Sequence, residues 1–325
     1  MTKKAVHITE FQYFEVITIS LSNMHNLKTN FDKFLELTNK YLSTSLNASG
    51  NVKAYRHIPK MPDSHIIALS LCQEALSIDS ENFFWSKLKT DYKDEFPELI
   101  HLTRYNLRKK SLTPFILKLN QSMAELLNEG EDVYIVDSMP IPVCKNAREK
   151  RLKACCEDFE TAPDKGYSAI NKQYFIGYKL HLVTSLRGIF HSMDLSKASV
   201  HDLHYLSDLK HTGINNCTLL ADAGYISSEH QTDLFHTARV EVKTPMRRNQ
   251  TDYKTYPFVF KKCRKRIETV FSQLCDQMMI KRNYAKTFLG LSTRILVKIT
   301  ATTALQTLNN QNGKPLNQIK HALAA

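Results

Sequence analysis

Two short apolar runs that each lead into an aspartate decide how this chain folds: Val133-Tyr134-Ile135-Val136-Asp137 and Thr218-Leu219-Leu220-Ala221-Asp222. Runs of this length are typical of strands that are covered on both faces of a sheet. In a mixed sheet with this order of elements, the two strands run parallel and side by side. The two runs therefore predict a pair of carboxylates held close together at one edge of the sheet.

The segments around these runs alternate between strand and helix patterns. Residues 174–184 and 188–195 are predicted to form a hairpin, and residues 239–243 a fifth strand. Helices are predicted over 200–209, over 227–237, after Pro257 and over 289–308. The helix after Pro257 is the clearest, since one apolar stripe runs along it at helical spacing: Ile267, Val270, Phe271, Leu274 and Met278. The order predicts an α/β fold, a mixed five-stranded sheet flanked by helices.

The pattern before residue 130 is helical. Leu69, Cys72 and Leu76 follow helical spacing, and Thr113-Pro114 predicts an N-cap followed by proline in the first turn of a helix. We therefore expect an all-α N-terminal region over residues 1–130, an α/β domain with basic C-terminal helices over 131–310, and a tail over 311–325.

The composition excludes several classes of protein. The 325 residues include 44 Lys and Arg against 32 Asp and Glu, a net charge of +12, and 42% are hydrophobic. Such a chain is globular and favours an anionic partner. No uninterrupted apolar run of 18 residues and no signal peptide is visible, so we expect neither secretion nor a membrane span. The seven cysteines show no C-x-x-C pair, which indicates reduced thiols in a cytoplasm.

Most of the positive charge lies in residues 239–298, where fifteen Lys or Arg face four acids, a local net charge of +11. A concentrated patch is typical of nucleic-acid binding, because each neutralised phosphate releases counterions. A second group follows Asp137, and a third lies in the N-terminal region, where a solvated helix face is an equally good explanation. The candidate DNA-binding residues are Arg104, Arg108, Lys145, Arg148, Arg247, Arg248, Lys261, Lys262, Arg264, Lys265, Arg266, Lys281 and Arg282.

A third acid, Glu268, stands at the edge of the apolar stripe of the basic helix. Carboxylates select Mg²⁺ or Mn²⁺, and two such ions about 4 Å apart promote in-line displacement at a phosphodiester. Taken singly, Asp137 and Asp222 are better explained as turn or cap residues, and Glu268 can be explained as an ion-paired surface residue. Their joint occurrence favours nuclease or strand-transfer chemistry.

At these residues the sequence resembles the DDE transposases of bacterial insertion sequences. Three segments carry the resemblance: VYIVDSMPIP (133–142), LLADAGY (219–225) and CRKRIETVFSQ (263–273). The segments GYKLHLVTS and ASVHD between them also match the pattern. The resemblance extends from about Lys60 onward and is closest to the insertion-sequence group numbered nine-eighty-two.

The resemblance implies a ribonuclease-H-like catalytic domain in which Asp137, Asp222 and Glu268 bind two Mg²⁺ ions, with Mn²⁺ as a substitute. It also implies a homodimer or higher oligomer in the bacterial cytoplasm, associated with the nucleoid and with no membrane partner. The expected partner is double-stranded DNA, both the terminal inverted repeats of the element and its target, with the N-terminal helical region binding the DNA ends. Some relatives carry a Tyr-x2-Arg-x3-Glu-x6-Lys signature; here Arg264 fits it, whereas Lys261 and Cys275 replace the Tyr and the Lys.

Other interpretations stay open at this point. The pattern His236-x-x-Arg239 with Tyr284 downstream is shared with tyrosine recombinases, although four-residue motifs recur by chance. A DNA-binding regulator or element remnant without catalysis, and a plain metal-dependent nuclease, are the two further alternatives. The histidines fall on different elements and are not expected to bind a metal.

Overall fold

The computed structural model describes residues 26–168, 172–247, 249 and 253–323. The N-terminal part is helical: α1 (Leu27–Tyr41), α2 (Asp63–Ala75), α3 (Glu81–Thr90), α4 (Leu102–Ser111) and α5 (Thr113–Leu127). Strands and helices follow: β1 (Val133–Cys144), β2 (Asp164–Ser168), β3 (Gln173–Ser185), β4 (Phe190–Lys197), α6 (Tyr205–Leu209), β5 (Cys217–Leu220), α7 (Ser228–Ala238), β6 (Val240–Lys243), α8 (Phe258–Asp276) and α9 (Phe288–Gln311). Short 3₁₀ helices lie at Asn146–Arg151, Asp202–His204, Ala223–Tyr225 and Ile319–His321.

The strands form one curled mixed sheet in the order β2-β3-β1-β5-β6, with β4 also beside β3. β1 is antiparallel to β3 and parallel to β5, and β5 is parallel to β6. The predicted α/β class, the hairpin and the parallel neighbours β1 and β5 are therefore confirmed.

The expected count of five strands is wrong, because β2 is a sixth strand within the described residues. It pairs with residues 173–177 of β3, while β4 pairs with residues 178–184 of the same strand. Its sequence, Asp-Lys-Gly-Tyr-Ser, shows no apolar alternation, because the residues at its buried positions are Gly166 and Ser168. Backbone pairing along the free edge of β3, rather than a hydrophobic pattern, makes this segment a strand.

The expected end of β1 at Asp137 is also wrong. Pairing with β5 ends at Ile135 and Leu220, whereas pairing with β3 continues to Cys144. The longer antiparallel partner keeps β1 extended after the parallel partner has ended. The register between β1 and β5, continued by two residues, brings Asp137 level with Asp222, one inside a strand and the other just beyond one.

The helices follow the predicted positions with two local differences. The segment expected as a helix over 200–209 holds a 3₁₀ helix followed by the short α6. At the start of α5, Pro114 lies in the first turn as predicted, but Leu112 rather than Thr113 is the N-cap. The Thr113 hydroxyl instead donates to the Lys110 carbonyl at 2.7 Å, which joins α5 to α4.

Helices cover both faces of the sheet. α8 buries its predicted apolar stripe, including Ile267, Val270 and Leu274, in the hydrophobic core that packs against one face of the sheet. α6 and α7 cover the opposite face with Leu206 and Leu234. Asp137 and Asp222 lie just past Ile135 and Leu220, the last residues at which β1 pairs with β5.

α9 returns from the C-terminal part of the chain into the N-terminal helices and packs mainly on α5 and α2. It is the one described helix that is long and apolar enough to cross a membrane, and 78% of its apolar window is buried inside the protein. Arg294 and Lys298 lie within it, both buried and both paired with Glu74 of α2. α9 is therefore a core helix that ties the N-terminal helices to the sheet domain.

Candidate functional site

Asp137 is a largely buried carboxylate in β1. Its Oδ1 accepts a hydrogen bond from the backbone N–H of Ser138 at 2.8 Å, and its Oδ2 lies 3.7 Å from a terminal nitrogen of Arg264 on α8. Burial raises the pKa of Asp137 to about 6; the Ser138 N–H and Arg264 oppose this rise, and the charges of Asp222 and Asp202 add to it. The arginine therefore only partly compensates the negative charge at this position.

Asp222 follows β5 and is the N-cap of the 3₁₀ helix Ala223–Tyr225. Its Oδ1 accepts a hydrogen bond from the Gly224 N–H at 2.8 Å. A Cβ at position 224 would lie 2.9 Å from that oxygen, so the glycine lets the turn fold back onto the carboxylate. This turn holds the Asp222 side chain at the end of β5, beside Asp137.

Tyr225 contributes a polar group to the same neighbourhood. Its hydroxyl is fully buried and has no hydrogen-bond partner among the described residues. Burial raises its pKa well above the ordinary value, and the charges of Asp202, Asp137 and Asp222 raise it further. Since buried polar groups are almost always satisfied, an unpaired hydroxyl near three carboxylates indicates a site that receives water or another polar ligand.

Glu268 is exposed on α8, one helical turn after Arg264 and near the same face of the helix. In the described part of the chain, no group of three or more acidic, histidine or cysteine side chains is arranged to hold a metal ion. The structure brings Asp137 and Asp222 together and places Arg264 3.7 Å from Asp137.

Arg264 itself keeps an unused donor. Its Nε is buried and, over the residues described, has no hydrogen-bond partner. Arginine donors in this state fit the oxygens of a phosphate, which they bind with charge-assisted hydrogen bonds.

Asp202 is a third acid of this neighbourhood that sequence reasoning left without a role. It opens the 3₁₀ helix that follows β4 and accepts hydrogen bonds from Ser138 and Lys179. Its charge acts on both Asp137 and Tyr225. The only sequence signal was the segment ASVHD, because a single aspartate after a strand is just as common in turns.

The donor set at this edge of the sheet fits a hard divalent cation. Asp137 and Asp222 supply carboxylate oxygens from neighbouring strands, and carboxylates are the ligands that Mg²⁺ and Mn²⁺ prefer. A bound cation would also remove the repulsion that contributes to the raised pKa of Asp137. Asp137 and Asp222 are therefore the residues that could hold a metal, with Asp202 as a further acid within electrostatic reach.

Most of the predicted DNA-binding side chains are on the surface. Arg266 is only partly exposed and donates to the Leu186 carbonyl at 3.2 Å, and Arg248 lies outside the described residues. The exposed members are Arg104, Lys145, Arg148, Arg247, Lys261, Lys262, Lys265, Lys281 and Arg282. Three of them share α8 with Arg264, so a basic surface lies on the helix that contacts Asp137 of β1.

Arg108, by contrast, is used inside the N-terminal helices. Its guanidinium contacts the buried carboxylate of Asp63 and donates to the Met61 carbonyl, and the side chain is only 13% exposed. Asp63 also accepts the Val52 N–H and the Tyr55 hydroxyl. Arg108 therefore stabilises the helical region rather than adding to its basic surface.

The geometry gives no support to the tyrosine-recombinase alternative. Arg239 is the C-cap of α7 and lies 5.8 Å from the Phe235 ring. The Tyr284 hydroxyl donates to Asp79 beside the N-terminal helices, at 3.3 Å. Arg239 and Tyr284 therefore have separate contacts, and no contact joins them in the described structure.

Comparison with known protein families identifies the same part of the chain. The family model described as "Transposase DDE domain" matches residues 128–304, just over half of the chain. The match begins before β1 and ends within α9, so Asp137, Asp222 and Glu268 all lie inside it. No curated protein and no solved structure matches the chain.

Proposed function

Because this chain belongs to the family of proteins with a transposase DDE domain, we propose that it is the DNA transposase of an insertion sequence. It binds the terminal inverted repeats of its element, cleaves a strand at each end to free a 3′-hydroxyl, and joins that end to target DNA. The observation that carries this proposal is the position of Asp137 and Asp222 at the same end of the parallel strands β1 and β5, within electrostatic reach of each other and next to the basic helix α8.

The architecture supports a ribonuclease-H-like catalytic domain over residues 131–310. A long antiparallel strand pair, β3 and β1, continues into the parallel strands β5 and β6, with helices on both faces. Residues 1–130 are the part that binds the DNA ends, and 311–325 form the tail. The quoted motifs support the insertion-sequence group nine-eighty-two as the nearest group.

The acids hold two Mg²⁺ ions, which Mn²⁺ can replace. When bound, such ions activate the attacking oxygen and stabilise the leaving oxygen of an in-line displacement. Asp137 and Asp222 would hold them from the sheet, and Glu268 would complete the set from α8. Arg264, which lies 3.7 Å from Asp137 and has an Nε without a partner among the described residues, would donate to a phosphate oxygen of the bound DNA.

The exposed cations bind the DNA backbone, since phosphate contacts position DNA without reading its sequence. Lys261, Lys262 and Lys265 act near the cleaved bond, and Lys281 with Arg282 are the candidates for the end contact that the Lys of the signature makes in relatives. An element has two ends, so the active form is a homodimer or a higher oligomer in the bacterial cytoplasm.

The experiment is a Mg²⁺-dependent cleavage and strand-joining assay on double-stranded DNA that carries an end of the element. The variants are Asp137→Asn, Asp222→Asn and Glu268→Gln, with Asp276→Asn as the matched control because Asp276 is an exposed acid on the same helix. We expect the first three to lose cleavage and the control to keep it.

Each other result has a defined meaning. Full activity of any one acid variant excludes that residue from the site, and full activity of Glu268→Gln alone would leave a site of two acids. Cleavage without strand joining identifies a nuclease. DNA binding without cleavage under either Mg²⁺ or Mn²⁺ identifies a silent DNA-binding protein.

A further inference from the structure

The carboxylate of Asp202 is held at both oxygens. Its Oδ1 accepts from the Lys179 ammonium at 2.8 Å, and its Oδ2 accepts from the Ser138 hydroxyl at 3.1 Å. Lys179 also donates to the Val200 carbonyl at 2.7 Å. Lys179, Asp202 and Ser138 therefore form a partly buried chain of hydrogen bonds that ends at the residue after Asp137.

The pairing of β1 with β3 explains why these groups meet. Ser138 is paired with His181, and Pro140 with Lys179, so the Ser138 and Lys179 side chains project from the same face of the sheet. Asp137, one residue earlier, projects from the other face, toward α8 and Arg264. Asp202 therefore contacts β1 on one face of the sheet, through Ser138, while the Asp137 side chain lies on the opposite face.

Ser138 links the two faces. Its side-chain hydroxyl binds Asp202, while its backbone N–H donates to Oδ1 of Asp137. Any rotation or shift of β1 at Ser138 would move both bonds together. The orientation of the Asp137 carboxylate is therefore coupled to the contact between Ser138 and Asp202.

We propose that Asp202, anchored by Lys179, is a positioning residue that orients Asp137 for metal binding through Ser138. This inference rests on the proposed function, because it assigns Asp202 a role at the same acidic site. Both oxygens of Asp202 are already engaged, and Lys179 balances its charge, so Asp202 supports a ligand and is not one itself. Groups that orient a metal ligand typically change metal affinity about 10–100-fold when they are removed.

The experiment measures Mn²⁺ binding to the full-length protein by calorimetry, and cleavage as a function of Mn²⁺ concentration. The variants are Asp202→Asn, Ser138→Ala and the double variant, with Ser138→Thr to restore the hydroxyl. Asp208→Asn is the matched control, because Asp208 is an exposed acid on the neighbouring α6.

We expect Asp202→Asn and Ser138→Ala each to weaken Mn²⁺ binding about 10–100-fold, with no change in the number of ions bound. The double variant should be no weaker than the weaker single variant, since both remove one interaction. Ser138→Thr and Asp208→Asn should bind as the unmodified protein does, and cleavage by Asp202→Asn should recover at saturating Mn²⁺. Ser138→Ala keeps every charge, so it tests the inference even if Asp202→Asn folds poorly.

Two results would overturn the inference while leaving the transposase proposal intact: unchanged Mn²⁺ affinity in both single variants, or the loss of one bound ion in Asp202→Asn, which would make Asp202 a ligand. If the unmodified protein binds no Mn²⁺, or if Asp222→Asn binds it equally well, the metal site of the proposed function fails and the inference fails with it.

Discussion

The protein contains two clusters of ionised side chains that are built from the same residue types and differ in their balance of charge. Around Asp137, the acids Asp222 and Asp202 act on one carboxylate, and Arg264 approaches only to 3.7 Å. Around Glu74, one acid meets two cations: Arg294 donates to its Oε1 at 3.0 Å, and Lys298 contacts its Oε2. Acid is in excess at the first cluster and in deficit at the second.

The two clusters also differ in how deeply their ion pairs are buried. The side chains of Glu74, Arg294 and Lys298 are at most 5% exposed, and Lys298 makes a further bond to the Met278 carbonyl at 2.6 Å. At the acidic cluster, the side chains of Arg264 and Asp137 are 22% and 21% exposed. A buried carboxylate with close cationic partners holds elements together, whereas a more open cluster with an excess of acid indicates a place for a cation.

The largest expected effect is the loss of DNA cleavage when an acid of the Asp137 cluster is replaced. Asp222→Asn should reduce cleavage of end DNA about 10⁴-fold, which corresponds to about 5 kcal/mol of transition-state stabilisation. Its free energy of unfolding should not fall, because asparagine retains the acceptor for Gly224 and removes a repelling charge. Single-turnover cleavage and urea unfolding measure the two quantities. If stability falls in parallel with activity, Asp222 is needed for folding, as Glu74 is, and not for catalysis.

The next effect is on stability. Glu74→Gln removes the carboxylate that pairs with two buried cations, Arg294 and Lys298, so the free energy of unfolding should fall by about 3–5 kcal/mol. Urea unfolding followed by circular dichroism measures this change, with Glu36→Gln, an exposed acid on α1, as the control. Cleavage per folded molecule should be retained. A fall of less than 1 kcal/mol would show that α9 does not depend on this cluster.

A smaller effect with the opposite sign is expected at Asp137. Burial raises the pKa of Asp137 from 3.8 to about 6, so the folded protein binds this proton more tightly than the unfolded chain does. Metal-free stability should therefore fall as the pH rises from about 4 to about 6, and the deficit persists above that range. Asp137→Asn should raise the free energy of unfolding by about 2–3 kcal/mol at pH 7.5 in EDTA.

The pH dependence of that gain distinguishes it from a general packing effect. The advantage of Asp137→Asn should shrink as the pH falls through 6 and vanish near pH 4, when Asp137 is protonated in both the folded and the unfolded state. Added Mg²⁺ should narrow the difference at pH 7.5, because the metal stabilises the ionised carboxylate. A gain that is constant from pH 4 to 8 would contradict the assigned cause.

The smallest effect is expected for an ion pair that is neither buried nor short of partners. Lys210 and Asp233 join the segment after α6 to α7 at 3.1 Å, with side chains that are 33% and 46% exposed. Lys210→Gln should change the free energy of unfolding by about 0.5 kcal/mol or less, measured by the same urea titration. A change above about 1 kcal/mol would show that the exposure of an ion pair does not determine how much it contributes to the free energy of unfolding.

Sequence patterns located much of the fold because local chemistry specifies it. The runs before Asp137 and Asp222 are apolar and short, and the stripe of α8 repeats at helical spacing; the structure shows two parallel strands and an amphipathic helix at these places. The end of β1 and the existence of β2 were missed, because both follow from pairing with β3 rather than from their own side chains.

The same division applies to the site. Asp137 and Asp222 could be found because each ends a recognisable run, and Arg264 because it fits a signature. Asp202 could not be assigned a role, since its contacts are with residues 64 and 23 positions earlier in the chain. Arg108 carried the same positive charge as exposed Arg104, and only its burial against Asp63 separates it from the basic surface.

Residue order alone therefore established an α/β chain with acids at strand ends and a basic, amphipathic helix, because hydrophobic periodicity and local charge are properties of neighbouring residues. Three-dimensional packing decided which groups meet: Arg264 with Asp137, and Asp202 with Ser138. Electrostatic and hydrogen-bond energies depend on distance and burial, and both are set by contacts between segments that are far apart in the chain.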